Sequence, residues 1–170
     1  VGNLALLTQN GSDANTAVGY NSGRSITTGI QDVCIGAFAG DALTDADFNT
    51  ALGFQALTAD TLGSRTVAVG YKALVSQNLT TATDTYNTAV GFEAGSSTTT
   101  GNQNTLIGGL SGNAITTGGG NTIVGYNNDV PAVDNNFSII MGTGVTGVGG
   151  DNFTFGRATL DSNIAFGGIS

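Results

Sequence analysis

Asn15-Thr16-Ala17-Val18-Gly19-Tyr20 returns almost unchanged as Asn49-Thr50-Ala51-Leu52-Gly53-Phe54 and as Asn87-Thr88-Ala89-Val90-Gly91-Phe92. Aligning every copy on the glycine that follows the branched apolar residue gives Gly2, Gly19, Gly36, Gly53, Gly70, Gly91, Gly108, Gly125, Gly142, Gly156 and Gly167. The steps between them are 17, 17, 17, 17, 21, 17, 17, 17, 14 and 11 residues. A fixed step held over most of a chain marks a stacked-repeat architecture, in which each unit buries its apolar face only against its neighbours. The 170 residues therefore read as one rod, with no second domain.

With Asn15 as position 1, units begin at Asn15, Asp32, Asn49, Thr66, Asn87, Asn104 and Asn121. Position 4 holds Val18, Ile35, Leu52, Val69, Val90, Ile107 and Val124; position 6 is mostly aromatic (Tyr20, Phe54, Tyr71, Phe92, Tyr126); position 8 is Ala or Ser in six units (Ser22, Ala39, Ala56, Ala73, Ala94, Ser111). These alternate with period two, so positions 4, 6 and 8 are expected to share the inward face of a strand. Position 3 (Ala17, Cys34, Ala51, Ala68, Ala89) would then lie on the outer face while remaining small and apolar, which implies a second buried surface and a partner subunit. On that reading Ala17→Arg separates subunits. The invariant glycine at position 5 predicts a bend, a bulge or close approach of another backbone.

The second half of each unit carries Ile26-Thr27-Thr28-Gly29, Thr98-Thr99-Thr100-Gly101 or Ile115-Thr116-Thr117-Gly118, a β-prone run closed by a turn glycine. About two short strands and two turns per unit match one coil of a β-solenoid, and Gly, Thr and Asn occupy positions that a helix would need filled otherwise. The unit after Gly70 is longer by four residues and includes Asn78-Leu79-Thr80-Thr81-Ala82-Thr83-Asp84, expected to bulge from one face as a loop. Residues 1–129 are thus regular 17-residue coils. Residues 130–137, with the only proline, Pro131, read as a transition loop, and 138–170 as a tapering section of the same rod with shorter coils and larger apolar residues. Eleven coils at about 4.8 Å would extend about 50 Å.

Composition excludes several functions. Four basic residues, scattered as Arg24, Arg65, Lys72 and Arg157, face twelve acidic ones, so no basic stripe exists for nucleic acid. Histidine is absent and Cys34 stands alone, so neither an intrachain disulfide nor a Cys/His zinc site can form. Cys34 occupies a position that is Ala in four other units and reads as a buried small residue. No run of eighteen apolar residues spans a membrane, and no signal segment opens the chain. Val1-Gly2 reads as the tail of an earlier repeat, so the chain is expected to be cut from something longer.

Asn-Thr-Ala-Val-Gly-Tyr-x-Ala repeats resemble the head repeats of YadA-like trimeric autotransporter adhesins, and similar repeats occur in phage and marine-virus tail fibres. The resemblance covers residues 1–129 well and 138–167 loosely. It implies a left-handed parallel β-roll and a homotrimer of side-by-side chains. It also implies an extracellular home, on a virion or a bacterial surface, and attachment to a host-cell glycan or protein receptor. The 17-residue unit with Thr-Thr-Gly is more similar to the viral fibre version than to the shorter adhesin repeat. On that version Ser170 is a candidate processed end.

Chemistry has little to work with, and the chain is expected not to be an enzyme. Asp41, Asp45 and Asp47 are the only cluster that could supply an acid/base pair, and a solvated turn accounts for them; Glu93 sits at a variable, exposed position. Gly149-Gly150-Asp151 is a fragment of a calcium-binding nonapeptide pattern, better read as a turn, and Gly118-Gly119-Gly120 leads into a strand phrase rather than a phosphate-binding helix. No catalytic, cofactor or metal residues are assigned, and no residue announces a receptor. The repeated asparagines (Asn15, Asn49, Asn87, Asn104, Asn121) read as a structural ladder. The Thr-Thr rows raise ice binding as a further alternative, although Leu43-Thr44-Asp45 and Asp60-Thr61-Leu62 break the array.

Overall fold

The computed structural model describes residues 1–11 and 14–158, together with the backbone of the strand at 162–165. Gly167 and Ser170, the last members of the register and of the expected tapering section, lie outside the described residues. The chain is an all-β parallel solenoid of about 17 residues per coil. Its strands are β1 (Thr16–Val18), β2 (Val33–Ile35), β3 (Thr50–Leu52), β4 (Gly63–Ser64), β5 (Val67–Val69), β6 (Thr83–Asp84), β7 (Thr88–Val90), β8 (Thr105–Ile107), β9 (Thr122–Tyr126), β10 (Ile139–Thr143), β11 (Asn152–Arg157) and β12 (Ser162–Ala165). One ten-stranded sheet runs β1-β2-β3-β5-β7-β8-β9-β10-β11-β12. Its pairs join equivalent repeat positions, such as Ala17 with Cys34 and Ala89 with Leu106.

Nine of these strands are parallel, and β12 returns antiparallel to β11. The eight intervals between the parallel strands span about 38 Å. The 11-residue step to the last repeat phrase is thus a reversal of chain direction. The threonine-rich half-coils differ from expectation too. They stack through backbone hydrogen bonds such as Thr27 N to Thr44 O (2.9 Å) and Thr99 N to Thr116 O (2.8 Å), without forming strands. Among the described residues a second sheet exists only at β4 and β6, where the four-residue insertion lets Gly63–Ser64 pair with Thr83–Asp84.

Positions 3, 4 and 6 face the opposite way to what period two predicts, whereas position 8 is buried as expected. Ala17, Cys34, Ala51, Ala68, Ala89, Leu106, Ile123 and Ile140 at position 3 form the core, together with position 8 and with Ile26, Leu43 and Ile115 from position 12. Val18, Leu52, Val90, Ile107 and Met141 at position 4, and Tyr20, Phe54, Tyr71, Phe92 and Tyr126 at position 6, are exposed. The reason lies in the backbone between positions 5 and 7. Gly19, Gly53, Gly70 and Gly91 have φ of 135° to 144°, and Asn21, Gln55, Lys72 and Glu93 two residues later are left-handed at 51° to 55°. Neither conformation continues a pleat, so side chains at 4 and 6 stay outside while position 8 turns in. Ala17→Arg would therefore drive a charge into the core.

Position 5 must be glycine for a second reason. A methyl group placed on Gly70 would lie 2.2 Å from the carbonyl oxygen of Gly91, and equivalents at Gly19, Gly36, Gly53, Gly91 and Gly108 would lie 2.0–2.6 Å from the next glycine's oxygen. The coils touch there backbone to backbone. The amides of Gly36, Gly53 and Gly70 also donate to Val18 O, Ile35 O and Leu52 O of the preceding coil at 2.7–2.8 Å.

Position 1 holds the coils in register. The Oδ1 of Asn49 accepts the Thr66 amide at 2.9 Å, while its Nδ2 donates to Gly63 O at 3.0 Å. Asn87, Asn104 and Asn121 repeat both bonds. This ladder links side chain to backbone at each asparagine, is interrupted at Thr66, whose hydroxyl meets Thr85 Oγ1 at 2.6 Å, and includes an amide-to-amide bond from Asn121 to Asn104. Each buried amide thus satisfies main-chain groups that a solenoid turn would otherwise leave unpaired.

Core volume is balanced between positions 9 and 12 in five of the coils; the coil that begins at Asn87 departs from this, with Gly95 and the buried Thr98. Where position 9 is Gly23, Gly40 or Gly112, position 12 is Ile26, Leu43 or Ile115. Where position 9 is the buried Leu57 or Leu74, position 12 becomes Asp60 or Gln77. These two polar residues are fully buried and satisfy each other. Gln77 Nε2 donates to Asp60 Oδ2 at 2.6 Å and to Thr66 Oγ1 at 3.0 Å, Asn87 Nδ2 donates to Gln77 Oε1 at 2.8 Å, and Asp60 Oδ1 accepts the Leu79 amide at 3.0 Å. A closed polar network of this kind is tolerated in a core because no member is left unpaired.

Candidate functional site

Two surface features stand out on an otherwise repetitive rod. The first is the outer face of the ten-stranded sheet. A column of Val, Leu, Ile and Met at position 4, exposed at Val18, Leu52, Val90, Ile107 and Met141, runs beside exposed aromatic residues at position 6 in five coils, with Ala37 and Gly109 at that position in two others. Tyr20 meets Phe38 edge-on at 5.3 Å, Phe54 stacks on Tyr71 at 5.6 Å, and Tyr71 stacks on Phe92 at 5.1 Å. Each such contact contributes about 0.5–1.5 kcal/mol, but these rings pack along the surface rather than beneath it. Gly109 interrupts the aromatic column between Phe92 and Tyr126. A contiguous apolar strip of this extent is characteristic of a surface that meets another surface.

The second feature is a groove of about 450 Å³ lined by Asp45, Asp47, Ser64, Arg65, Ala82, Thr83 and Asp84. It lies where the insertion adds β6 to β4, alongside the polar turn of the preceding coils. Arg65 forms an ion pair with Asp84, with side chains 39% and 47% exposed, and its guanidinium lies 4.8 Å from the centre of the Phe48 ring. Tyr86 reaches Asp84 Oδ2 through its hydroxyl at 3.4 Å. Asp47 Oδ1 accepts the Ile30 amide at 2.8 Å, Asp45 Oδ1 accepts the Thr28 hydroxyl, and Ser64 Oγ accepts the Asp47 amide at 2.9 Å.

The residues singled out from the sequence fall apart into local roles. Asp41 accepts the Thr58 hydroxyl, so of the three aspartates only Asp45 and Asp47 reach the groove. Glu93 is half-buried at a left-handed turn position, with its amide donating to Tyr71 O at 2.8 Å. Asp151 is a turn residue at φ 57°, and the Gly119 and Gly120 amides donate to Asn136 Oδ1 and Asn102 O. Among the described residues no three His, Cys, Asp or Glu side chains are grouped to hold a metal ion, and no helix is long and apolar enough to cross a membrane. The Thr27, Thr44, Thr61, Thr99 and Thr116 hydroxyls donate to carbonyls of the next coil. They serve the stack first.

Cys34, the middle residue of β2 between β1 and β3, is fully buried, and burial, aided by the charges of Asp32 and Asp41, pushes its thiol up to about 12. No nucleophilic thiolate forms at neutral pH. An aromatic disulfide reagent is expected to leave native protein unlabelled over hours and to titrate one thiol in urea; rapid native labelling would contradict this burial. Sequence reasoning missed the groove because it joins residues from three coils. A usable signal existed, since Asp47 and Ser64 are one 17-residue step apart and the insertion follows them.

Comparisons with protein families, with curated proteins and with solved structures give no match to this chain, so the functional reading rests on its own residues.

Proposed function

We propose that the chain is a segment of a homotrimeric, left-handed β-roll fibre exposed on a virion or a bacterial surface, a rigid non-catalytic spacer that presents an attachment surface to a host cell. The observation that carries the trimer is the exposed double column of position 4 and position 6 side chains, which runs from Val18 and Tyr20 to Tyr126 along one face. Burying such columns against identical columns of two neighbours removes apolar surface from water at every coil, at about 25 cal/mol per Å². The tail-fibre version is preferred over the adhesin head because of the 17-residue coil and its Thr-Thr-Gly turn. Ice binding loses support, because the threonine hydroxyls that would order water are engaged with the backbone.

Light scattering is expected to give three times the 16.9 kDa chain mass. Leu52→Lys combined with Val90→Lys is expected to yield a folded single chain, since both side chains are about two-fifths exposed in the isolated coil. Ala17→Arg, in contrast, is expected to lose β-structure by circular dichroism. A monomeric wild type at micromolar concentration would remove the trimer, and dissociation by Ala17→Arg with the fold intact would restore the opposite facing.

A further inference from the structure

We infer that the groove at the coil insertion is a glycan-binding site, taking a short neutral or amino-bearing oligosaccharide. The inference rests on the attachment reading for its biological role and names the receptor chemistry. Its volume, about 450 Å³, falls within the range of about 300–1,000 Å³ typical of small-ligand sites. It forms where one coil departs from the repeat and its insertion pairs β6 with β4, and per-repeat insertions in solenoids often mark the binding face.

The lining selects for hydroxyl-rich ligands. Three carboxylates (Asp45, Asp47, Asp84) accept hydrogen bonds and cannot donate them, so the ligand must bring donors. Asp45 and Asp47 use Oδ1 on the protein, which leaves the second oxygen of each for a sugar hydroxyl or amine. The Arg65 guanidinium supplies a planar fork of donors for ring and hydroxyl oxygens, already oriented by Asp84 and by the Phe48 ring. Ser64 and Thr83 add hydroxyls that both donate and accept. Beside the lining, Tyr86, 53% exposed and hydrogen-bonded to Asp84, offers a flat apolar face for the C–H side of a pyranose ring, while the Phe48 ring carries the Arg65 guanidinium.

Charge narrows the class further. Three carboxylates against one guanidinium, on a chain of net charge −8, disfavour sialylated, uronic or phosphorylated glycans. The Arg65–Asp84 pair is too exposed to matter much for stability, where such pairs contribute about 0–1 kcal/mol.

The test is an array of immobilised neutral, amino-bearing and acidic oligosaccharides probed with the whole chain, with Asp84→Ala, with Tyr86→Ala and with Asp134→Ala as a control outside the groove. Melting by circular dichroism certifies that each variant is folded. The expected result is binding to neutral or amino-bearing glycans, weakened about tenfold or more by Asp84→Ala and by Tyr86→Ala and unchanged by Asp134→Ala. Binding unaffected by Asp84→Ala and by Tyr86→Ala, or a preference for acidic glycans, overturns the site while the attachment reading stands. A silent array with adherence to cells that protease treatment abolishes overturns the glycan and leaves a protein receptor. A silent array with no adherence to cells overturns both readings.

Discussion

Gly70→Ala is expected to unfold the middle of the rod, whereas Gly149→Ala is expected to be a tolerable change. Both glycines have the same backbone conformation, φ 136° and 135°, in a region that L side chains rarely adopt. They differ in what a methyl group would meet. At Gly70 it would lie 2.2 Å from Gly91 O and 2.7 Å from Gly91 C, whereas at Gly149 nothing lies within 4 Å. Backbone strain alone costs about 1–3 kcal/mol, and this is the expected loss for Gly149→Ala. At Gly70 the collision is with main chain, which cannot move aside without parting the stacked coils. A loss of more than about 4 kcal/mol is expected, enough to remove most of the stability of a marginal fold. Urea denaturation of both variants by circular dichroism makes the comparison. Equal destabilisation would show that conformation, and not the close approach of coils, demands the glycine.

That glycine column is also what made the fold legible. Its spacing gives the number of residues per coil, and the expectation of close backbone approach at position 5 matches the stacking of Gly19, Gly36, Gly53 and Gly70. The asparagine column was equally readable, because a polar residue repeated at one position of every coil has its counterpart one strand spacing away. What period-two reasoning could not see was which way the phrase faces. It treats Thr16 to Ser22 as one pleated run, but the conformations of Gly19 and Asn21 break the pleat in its middle. The usual rule that large apolar residues lie inside then misleads. This coil is thin enough that Ala51 and Ala68 fill its interior beside Leu57 and Leu74, while Leu52, Phe54 and Tyr71 are displaced to the surface. The argument for a partner survives the reversal and shifts from the alanines to the larger residues beside them.

Asp32→Asn is expected to stabilise the protein at pH 8 and to change little at pH 3. Asp32 occupies the asparagine position of its coil and makes half of the usual contacts. Its Oδ1 accepts the Asn49 amide at 2.8 Å, as the Oδ1 of Asn49 accepts that of Thr66. Elsewhere in the ladder the second atom is an amide nitrogen that donates to a carbonyl fourteen residues on; here it is Oδ2, buried without a partner. Burial raises this carboxyl to about 7 from 3.8, against the opposing hydrogen bonds from Asn49 and with a further push from Asp47. The unfolded chain ionises near 3.8, so between that pH and 7 the folded state holds a proton that the unfolded state has lost. Stability present below 3.8 is therefore lost as pH rises to 7 and stays lost above it. At 1.36 kcal/mol per pH unit the full effect approaches about 4 kcal/mol, and a gain of about 2–4 kcal/mol is expected for asparagine at pH 8. Paired urea titrations of wild type and variant at the two pH values measure it. A difference that does not depend on pH would mean that Asp32 is ionised in the folded chain, and that the ladder tolerates a buried charge at its second rung.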